Sequence, residues 1–387
     1  MTPEEADSFA GRRAAYVHVP FCSAVCPYCD FAVVAGRDDL ALRYIDAVVA
    51  EIRADPEWGP LDSVYFGGGT PSQVEARLLG TVLDTLADAH GIAADAEISL
   101  EANPEDFTPA GAGRLRAVGF NRVSFGAQSF DPSVLAALGR RHRQEQISGS
   151  VEAARRADFA NVSLDLIFGT PGETESSWRG SLESALGLEP EHLSCYALTV
   201  ERGTALGRAV ASGAAAPDPD VQAHRYEVAD DLLTRSGMGR YEVSNWSRPG
   251  FECRYNLTVW AQGEYLAYGN GAHGYRDGIR YRNHRRIDAY LADVEAGGSP
   301  RAGEDRVSGW DAELDRIFVG LRRVVGVAQG PATRALVDSD DGARLSEAGV
   351  IAVDDGRLQV MRPLLTDAVQ RSVLATSAPN VNGDGDA

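Results

Sequence analysis

Hydrophobic residues fall into six short runs between Ala15 and Leu198, separated by longer stretches with an apolar residue at every third or fourth position. Short runs of this kind are typical of buried strands, and the longer stretches are typical of amphipathic helices. Their regular alternation predicts repeated βα units around a parallel sheet. The predicted strands are Ala15–Val19, Ser63–Phe66, Ile98–Leu100, Arg122–Phe125, Val162–Phe168 and Leu193–Leu198.

Six consecutive units predict an α/β fold, namely a partial (β/α)6 barrel similar to an open TIM barrel. Loops at the carboxyl ends of barrel strands converge on one opening, where active sites lie. Polar or glycine-rich positions stand at these ends in successive units, so we expect them to share one site. They are the loop around Cys22, the run Gly67–Pro71, Glu101, Gln128, Asp165 and Tyr196.

Changes in the pattern divide the chain into four parts. Residues 1–200 form the predicted barrel core, and residues 201–300, with an aromatic- and glycine-rich stretch over Asn245–Gly274, predict a cap or binding extension. Residues 301–375 predict a smaller α+β unit, and the polar segment 376–387 predicts a disordered tail. Elements predicted in the later parts are a helix over Pro217–Ser236, a strand over Arg240–Val243, helices near Ala312–Val324 and Pro331–Asp338, and a hairpin turning at Asp354–Gly356.

Charge and residue usage exclude several classes of function. A formal net charge of −19 argues against a nucleic-acid partner, whose phosphates basic residues would have to neutralise. All 37 basic residues are arginine, which excludes both a Schiff-base lysine and a P-loop lysine. The sequence shows no signal peptide and no apolar run near the ~20 residues that a membrane-spanning helix needs. We therefore expect a cytoplasmic protein that acts on a small molecule.

Three of the five cysteines, Cys22, Cys26 and Cys29, lie close together in a C-x3-C-x2-C arrangement. An odd number of cysteines with this spacing is unlike a secreted disulfide framework and indicates a reducing compartment. Closely spaced thiolates hold iron–sulfur clusters, and three ligands to a four-iron cluster leave one iron open to an outside molecule. A zinc site completed by His18 or Asp30 is one alternative, and incidental buried cysteines are another.

The segment Tyr16–Cys29 reads YVHVPFCSAVCPYC and resembles the cluster loop of the radical S-adenosylmethionine (SAM) superfamily. The resemblance is to the branch of oxygen-independent coproporphyrinogen III dehydrogenases and HemW heme chaperones, and it extends to at least Gly274. It implies a [4Fe–4S] cluster on Cys22, Cys26 and Cys29 whose open iron binds SAM. It also implies reductive cleavage of SAM, in which the cofactor carries the chemistry and the protein positions it.

The resemblance further implies which residues contact SAM, namely Tyr16, Tyr28, Gly68, Gly69, Thr70, Glu101, Gln128, Arg140 and Asp165. A glycine-rich turn brings bare backbone close to a ligand, carboxylates bind ribose hydroxyls, and an arginine binds a carboxylate with two donors. Two alternatives stay open. The glycine run can be a tight turn before a helix that begins at Pro71, and Arg140 can belong to a solvated basic patch with Arg141, His142 and Arg143.

Two positions indicate which member of the branch this chain resembles. The dehydrogenases carry a further cysteine two residues after Cys29, whereas Asp and Phe follow here, as in the heme chaperones. The H-N-x-x-Y-W heme motif of the chaperones appears as Tyr255–Trp260, with its histidine and tyrosine replaced. We hypothesise that Tyr255 or a nearby group ligates heme, as tyrosinate does elsewhere, and that Asn256 and Trp260 shape the pocket. Further candidate ligands are Cys253, His273 and His284. The alternative is a packed cap whose aromatic residues are core.

The resemblance thus predicts a radical SAM protein of the HemW type. Such a protein binds heme and transfers it to respiratory apoproteins at the membrane, with an electron-donor protein as a further partner. An enzyme that oxidatively decarboxylates coproporphyrinogen III, or another hydrogen-abstracting enzyme, is the alternative. A third interpretation is a binding protein that keeps a vestigial cluster site.

Overall fold

A computed structural model describes residues 1–376, so the predicted tail over 376–387 lies outside the described residues except for Thr376. The strands in this range are β1 (Arg13–Val19), β2 (Phe21–Cys22), β3 (Val34–Ala35), β4 (Leu61–Gly68), β5 (Ile92–Ala102), β6 (Arg122–Gln128), β7 (Asn161–Phe168), β8 (His192–Ala197), β9 (Gly239–Arg240), β10 (Asn245–Ser247), β11 (Glu264–Tyr268), β12 (His273–Arg276), β13 (Ile279–Asn283), β14 (Arg301–Arg306), β15 (Val327–Ala328), β16 (Ile351–Asp354) and β17 (Arg357–Val360).

The α-helices in the same range are α1 (Pro3–Ser8), α2 (Ala41–Ala54), α3 (Ala76–His90), α4 (Pro109–Ala117), α5 (Pro132–Ala137), α6 (Gln144–Arg156), α7 (Glu175–Gly187), α8 (Ala205–Ala211), α9 (Pro219–Arg235), α10 (Arg254–Trp260), α11 (Ile287–Glu295), α12 (Gly309–Gly320), α13 (Pro331–Val337), α14 (Asp340–Glu347) and α15 (Thr366–Leu374). None of these described helices is both long and apolar enough to cross a membrane.

Twelve strands form one sheet in the order β14-β13-β12-β11-β1-β4-β5-β6-β7-β8-β10-β9. Its six middle strands, β1 and β4 to β8, are parallel and neighbour one another in chain order. Helices α2, α3, α4, α6 and α7 lie in the connections between them. The prediction of an α/β fold with six βα units is confirmed.

The sheet continues on both sides with strands from the later part of the chain. On one side β11 pairs in parallel with β1, and β12 to β14 follow as antiparallel strands. On the other side β10 and β9 extend β8. Strands from the predicted extension, residues 201–300, therefore belong to the same sheet as the core. The predicted strand Arg240–Val243 is shorter, because only Gly239 and Arg240 pair with β10.

The two faces of the parallel strands differ in polarity. Outward residues such as Val64, Leu100, Val123 and Leu164 are fully buried against the helices. Alternate residues point into the barrel, as the strand period of two requires, and these are mostly polar. They include Ser63, Tyr65, Glu97, Ser99, Glu101, Arg122, Ser124, Ser163, Asp165, His192 and Ser194. The lumen is therefore polar along its length, which suits a polar ligand better than a packed apolar core.

Helix α10 covers the amino-terminal end of this lumen. The strand that follows it, β11, begins beside Arg13 at the start of β1. The backbone N–H of Arg254, at the start of α10, donates at 3.0 Å to Glu97, which pairs with Ser63 near the beginning of β4. The middle of the segment Asn245–Gly274, predicted as a cap, thus forms the floor of the barrel, opposite to the carboxyl ends of the strands.

Residues from Gly309 onward form a smaller unit with its own core. A three-stranded sheet, β15-β17-β16, packs with α12 to α15 around buried residues that include Ile317, Leu336, Leu358 and Val369. The predicted hairpin is confirmed: β16 and β17 are antiparallel and meet at Asp355 and Gly356, both in the left-handed region. The predicted helix near 312–324 instead spans Gly309–Gly320, and the next begins at Pro331 as predicted.

Candidate cluster and cofactor site

The carboxyl ends of the parallel strands surround a cavity of about 540 Å3. The cysteine loop forms one side, and the strand ends form the other sides. Eleven of the residues predicted for the cluster and SAM line this cavity: Cys22, Cys26, Cys29, Tyr28, Gly68, Gly69, Thr70, Glu101, Gln128, Arg140 and Asp165. The structure therefore brings these residues together, as the strand-end pattern predicts.

Backbone hydrogen bonds within the cysteine loop hold its shape. Cys22 lies in β2, which pairs with β3, and the backbone N–H of Cys29 donates to the carbonyl of Cys26 at 3.1 Å. The three thiols are half-buried. Burial raises the pKa of the Cys22 thiol to about 11, so a bound cation is needed to hold it as a thiolate at neutral pH.

The two residues that could complete a zinc site already have other partners. His18 is buried, with Nδ1 3.1 Å from the Tyr16 hydroxyl and Nε2 3.0 Å from the carbonyl oxygen of Ala32. The carboxylate of Asp30 pairs with Arg285 at 2.9 Å. Within residues 1–376, no three His, Cys, Asp or Glu side chains gather closely enough to hold a single metal ion. The contacts of His18 and Asp30 therefore favour the cluster over zinc.

The glycine run forms a close cradle at the end of β4. Gly68 has a φ of +104°, and a Cβ there would lie 2.2 Å from the ring of His18. A Cβ on Gly69 would lie 2.7 Å from the backbone of the segment Val19–Phe21. Only glycine fits at both positions. The tight-turn interpretation also holds, because Pro71 begins one 3-10 turn directly afterwards.

Two buried carboxylates face the cavity from β5 and β7. Glu101 accepts from the Tyr65 hydroxyl at 3.0 Å and from the backbone N–H of Gly68 at 2.9 Å. Burial raises the pKa of Glu101 to about 7, with a smaller contribution from the charge of Asp165. Asp165 accepts from the Ser124 hydroxyl at 3.0 Å, and burial raises its pKa as well.

Gln128, at the end of β6, lies where the pairing with β7 shifts register, and its φ of +61° turns the chain. Arg140 is buried, with 8% of its side chain exposed, whereas Arg141 and Arg143 are exposed. The solvated-patch interpretation thus applies to Arg141 and Arg143, but not to Arg140 or to His142, which is buried as well. Its Nε is buried without a hydrogen-bond partner and is free to bind a ligand.

The two tyrosines predicted for SAM lie in different places. Tyr28 lines the cavity and packs against an apolar group that includes Val134 and Leu198. Tyr16 does not line the cavity. Its ring lies beside those of Tyr65 and Tyr255, with centroids 6.3 Å and 5.9 Å away.

The three residues proposed for heme all lie on α10 but face different surroundings. Tyr255 stacks on Tyr65 at 5.3 Å, and burial raises the pKa of its hydroxyl well above its ordinary value. Asn256 lines the cavity from below. Trp260 lies under the guanidinium of Arg322, 4.8 Å from the ring centroid. The structure does not bring the three side chains around one common space.

Several further cavity residues were not predicted from the sequence, among them Asn103, Arg122 and Asn245. Asn103 stands two positions beyond Glu101, directly after the end of β5, so the period-two pattern continued by one residue could have identified it. Asn245 and Cys253 come from the part of the chain beyond residue 200. Both residues reach the lumen through pairing between strands that are distant in sequence, such as β10 with β8, and no local sequence pattern indicates such pairing.

Residues 16–185 match the family model of the Radical SAM superfamily. The chain is 41% identical to the heme chaperone HemW of Mycobacterium tuberculosis over 376 residues, which cover 93% of this chain and 94% of that protein. It is 36% identical to the heme chaperone HemW of Synechocystis, over 92% of this chain and 91% of that protein. The chain belongs to the HemW family.

Among solved structures, coproporphyrinogen III oxidase (HemN) from Escherichia coli, a radical SAM enzyme, has a TM-score of 0.82 at 23% identity and covers 95% of this chain and 92% of that one. HemW and HemN chains thus share this fold. The radical SAM family implies a [4Fe–4S] cluster and SAM. The residues of this HemW-family chain fit both groups, since three thiols, a glycine cradle and the unpaired Nε of Arg140 line one cavity.

Proposed function

We propose that this protein is a heme chaperone that holds a [4Fe–4S] cluster and SAM, binds heme and passes it to respiratory apoproteins. The observation that carries the proposal is the 41% identity to a heme chaperone HemW over 93% of this chain. The absence of a cysteine two residues after Cys29, where Phe31 stands, supports the chaperone over the dehydrogenase. The membrane respiratory recipients and an electron-donor protein are part of the proposal.

The residues around the cavity have separate tasks in this proposal. When bound, the cluster and SAM supply one-electron chemistry that cleaves SAM reductively. Cys22, Cys26 and Cys29 hold the cluster, while the backbone at Gly68 and Gly69 admits the methionine end of SAM.

The remaining predicted contacts orient the rest of the SAM molecule. Arg140 offers its unpaired Nε to the SAM carboxylate, and Glu101 and Asp165 accept from its ammonium or ribose groups. Thr70 and Gln128 add polar contacts, and Tyr28 lies against the adenine. Tyr16 acts from outside the cavity, because its hydroxyl lies 3.1 Å from Nδ1 of His18 beneath the glycine cradle.

The heme-binding part of the proposal concerns α10. Tyr255 is the proposed iron ligand, and α10 must rearrange to bring Asn256 and Trp260 to the sides of the same pocket. The ring of Tyr255 packs against the rings of both Tyr16 and Tyr65, so ligation requires α10 to release this ring. We expect a Tyr255→Phe, Cys253→Ala double variant to bind hemin more weakly and with a shifted Soret band. An unchanged band and affinity would exclude this ligand assignment.

The function itself is tested by heme transfer. Protein reconstituted anaerobically with iron and sulfide is loaded with hemin and mixed with a heme-free respiratory cytochrome. We expect stoichiometric hemin binding and transfer of heme to the apoprotein. Failure to bind hemin, or transfer no faster than from free hemin, would overturn the proposal.

The same preparation distinguishes the dehydrogenase. With dithionite, SAM and coproporphyrinogen III, we expect no protoporphyrinogen to form, while 5′-deoxyadenosine measures whether SAM is cleaved at all. A Cys26→Ser variant serves as the control without a complete cluster. Formation of protoporphyrinogen by the parent protein but not by this variant would make the chain an enzyme of heme biosynthesis.

A further inference from the structure

A chain of hydrogen bonds joins two of the three cluster thiols. The Thr70 hydroxyl lies 3.7 Å from Sγ of Cys22, and Nη1 of Arg140 lies 3.6 Å from Sγ of Cys26. Asn103 connects these two donors: its Nδ2 lies 3.0 Å from Thr70 Oγ1, and its Oδ1 lies 2.6 Å from Nη2 of Arg140. The order is therefore Cys22, Thr70, Asn103, Arg140, Cys26.

Elementary hydrogen-bond chemistry fixes the direction of every link. Arginine has only donors, so the group of Asn103 that faces Arg140 must be its carbonyl oxygen. The amide nitrogen must then donate to Thr70, whose hydroxyl accepts it and has its own hydrogen left for Cys22. Asn103 thereby holds both neighbours as donors toward sulfur.

The network is shielded from solvent, which strengthens its effect. Thr70 is 3% exposed, and the side chain of Arg140 is 8% exposed. Arg140 is fixed further by a bond of 3.0 Å from Nη2 to the carbonyl of Gly126. In such surroundings water competes poorly with these bonds, and the orientation of the donors is maintained.

We propose that Asn103 is a positioning residue that keeps Thr70 and Arg140 as hydrogen-bond donors to the cluster thiolates of Cys22 and Cys26 and so raises the reduction potential of the cluster. Reduction adds negative charge to the cluster and its sulfur ligands, and donors to those sulfurs stabilise that charge. The proposal depends on the cluster and not on heme, so loss of the chaperone function would leave it intact.

The test is the midpoint potential of the reconstituted cluster, titrated anaerobically and followed by the EPR signal of the reduced form. Three variants are compared with the parent protein: Asn103→Leu removes both links, Asn103→Asp replaces the donor to Thr70 by an acceptor, and Thr70→Val removes the donor to Cys22. We expect all three potentials to shift to more negative values. The shift in an Asn103→Leu, Thr70→Val double variant should be smaller than the sum of the single shifts.

The matched control is Asn121→Leu, at the other end of the same strands. Asn121 also makes two bonds of 2.8 Å, to the backbone of Ala96 and Ile98, but these lie far from the cysteine loop. We expect it to keep the parent potential. If the Asn103→Leu variant takes up little iron and sulfide, the midpoint potential of the isosteric Asn103→Asp variant decides the test. The proposal would be overturned if the Asn103→Asp variant had the same midpoint potential as the parent protein. It would also be overturned if Asn121→Leu shifted the midpoint potential as much as the Asn103 variants do.

Discussion

Among the candidate SAM contacts, Glu101 is a carboxylate whose surroundings disfavour its charged form. Its carboxylate is enclosed in the lumen, and two hydrogen bonds, from Tyr65 and Gly68, offset only part of the loss of solvent. Burial therefore leaves its pKa at about 7. A pKa of about 7 lies near neutral pH, so the charge of the Glu101 carboxylate responds to small changes in pH and to a bound cation.

We expect the affinity for SAM to weaken as the pH falls from 8 to 6. Protonation of Glu101 below its pKa of about 7 removes an anionic acceptor from a cationic ligand, which costs up to about tenfold in Kd per pH unit. Equilibrium dialysis of the reconstituted protein measures this. A Glu101→Gln variant should bind SAM more weakly at pH 8, and its Kd should depend less on pH. If its Kd changed with pH as steeply as that of the parent protein, a group other than Glu101 would be responsible for the pH dependence.

Steric fit at Gly69 gives a second prediction. A Cβ there would meet the backbone of Val19, Pro20 and Phe21 at 2.7 Å, so Gly69→Ala should push the cysteine loop away and cost about 1–3 kcal/mol. Urea unfolding and the iron content after reconstitution measure the effect. The control is Gly113→Ala in α4, where a Cβ meets nothing within 4 Å and alanine favours the helix by up to ~1 kcal/mol. Equal free energies of unfolding for Gly69→Ala and Gly113→Ala would contradict the predicted steric clash at Gly69.

Individual site residues were predictable to different degrees. Cys22 and its two partners, and Glu101, stand at strand ends that the hydrophobic pattern located. Asn103 escaped notice because a single asparagine before a proline is also an ordinary turn residue. The partner that gives it a role, Arg140, lies 37 residues later, and sequence spacing does not encode that contact.

Among the elements, the short helix α1 connects the two ends of the described chain. Asp7 on α1 accepts from Arg323 at 3.0 Å and from Arg357 at 2.7 Å. Burial alone would raise the pKa of Asp7, but these arginines bring it below its ordinary value. The stabilisation is thus present at neutral pH and is lost as the pH falls through that lowered pKa.

We expect Asp7→Asn to destabilise the smaller unit by about 1–3 kcal/mol, because two buried guanidinium groups lose their counter-charge while Asp7 itself is partly exposed. Hydrogen exchange in α12 and β17 should become faster, and thermal unfolding should begin at a lower temperature. Asp39→Asn, which breaks the exposed pair with Arg37, should leave the thermal unfolding temperature nearly unchanged. Similar costs for both variants would show that α1 does not hold this unit.

The middle strands could be predicted because each is a buried run bounded by loops. The outer strands could not. β9 and β10 are two and three residues long, and β11 to β14 form a meander whose alternation is interrupted by glycines such as Gly274 and Gly278. Their membership of the sheet is decided by pairing with β1 and β8. Local propensity therefore predicted a separate extension over residues 201–300, whereas long-range pairing makes the strands of this part a continuation of the main sheet.

For the whole molecule, the main feature is the separation of two sites along one lumen. The cysteine loop lies at the carboxyl ends of the strands, while α10 covers the opposite end. β6 spans Arg122–Gln128 between these levels, and at ~3.3 Å per residue it is about 20 Å long. A heme on α10, as proposed, and a SAM molecule at the cluster would therefore bind at different levels of the lumen, although Asn256 at the start of α10 also lines the cavity beside the cysteine loop.

We expect hemin and SAM to bind independently. Because the proposed sites lie toward opposite ends of the barrel, the Kd for hemin should change less than about twofold when SAM is saturating, and the reverse should hold by linkage. Fluorescence quenching by hemin, with and without SAM, measures this on the reconstituted protein. Hemin binding weakened tenfold or more by SAM would place heme at the mouth of the cavity instead.

The anchoring of the cysteine loop has a consequence for the biosynthesis of the protein. Asn270 donates to the carbonyl of Ala32 at 3.2 Å, and Arg285 binds Asp30, across 238 and 255 residues of chain. Ribosomes add about 5–20 residues per second, so the loop emerges roughly ten to fifty seconds before these partners. During that interval its thiols are exposed to oxidants without a fixed shape. We expect iron and sulfide to be inserted only after synthesis has passed Arg285, so that nascent chains ending before Asn270 assemble no stable cluster.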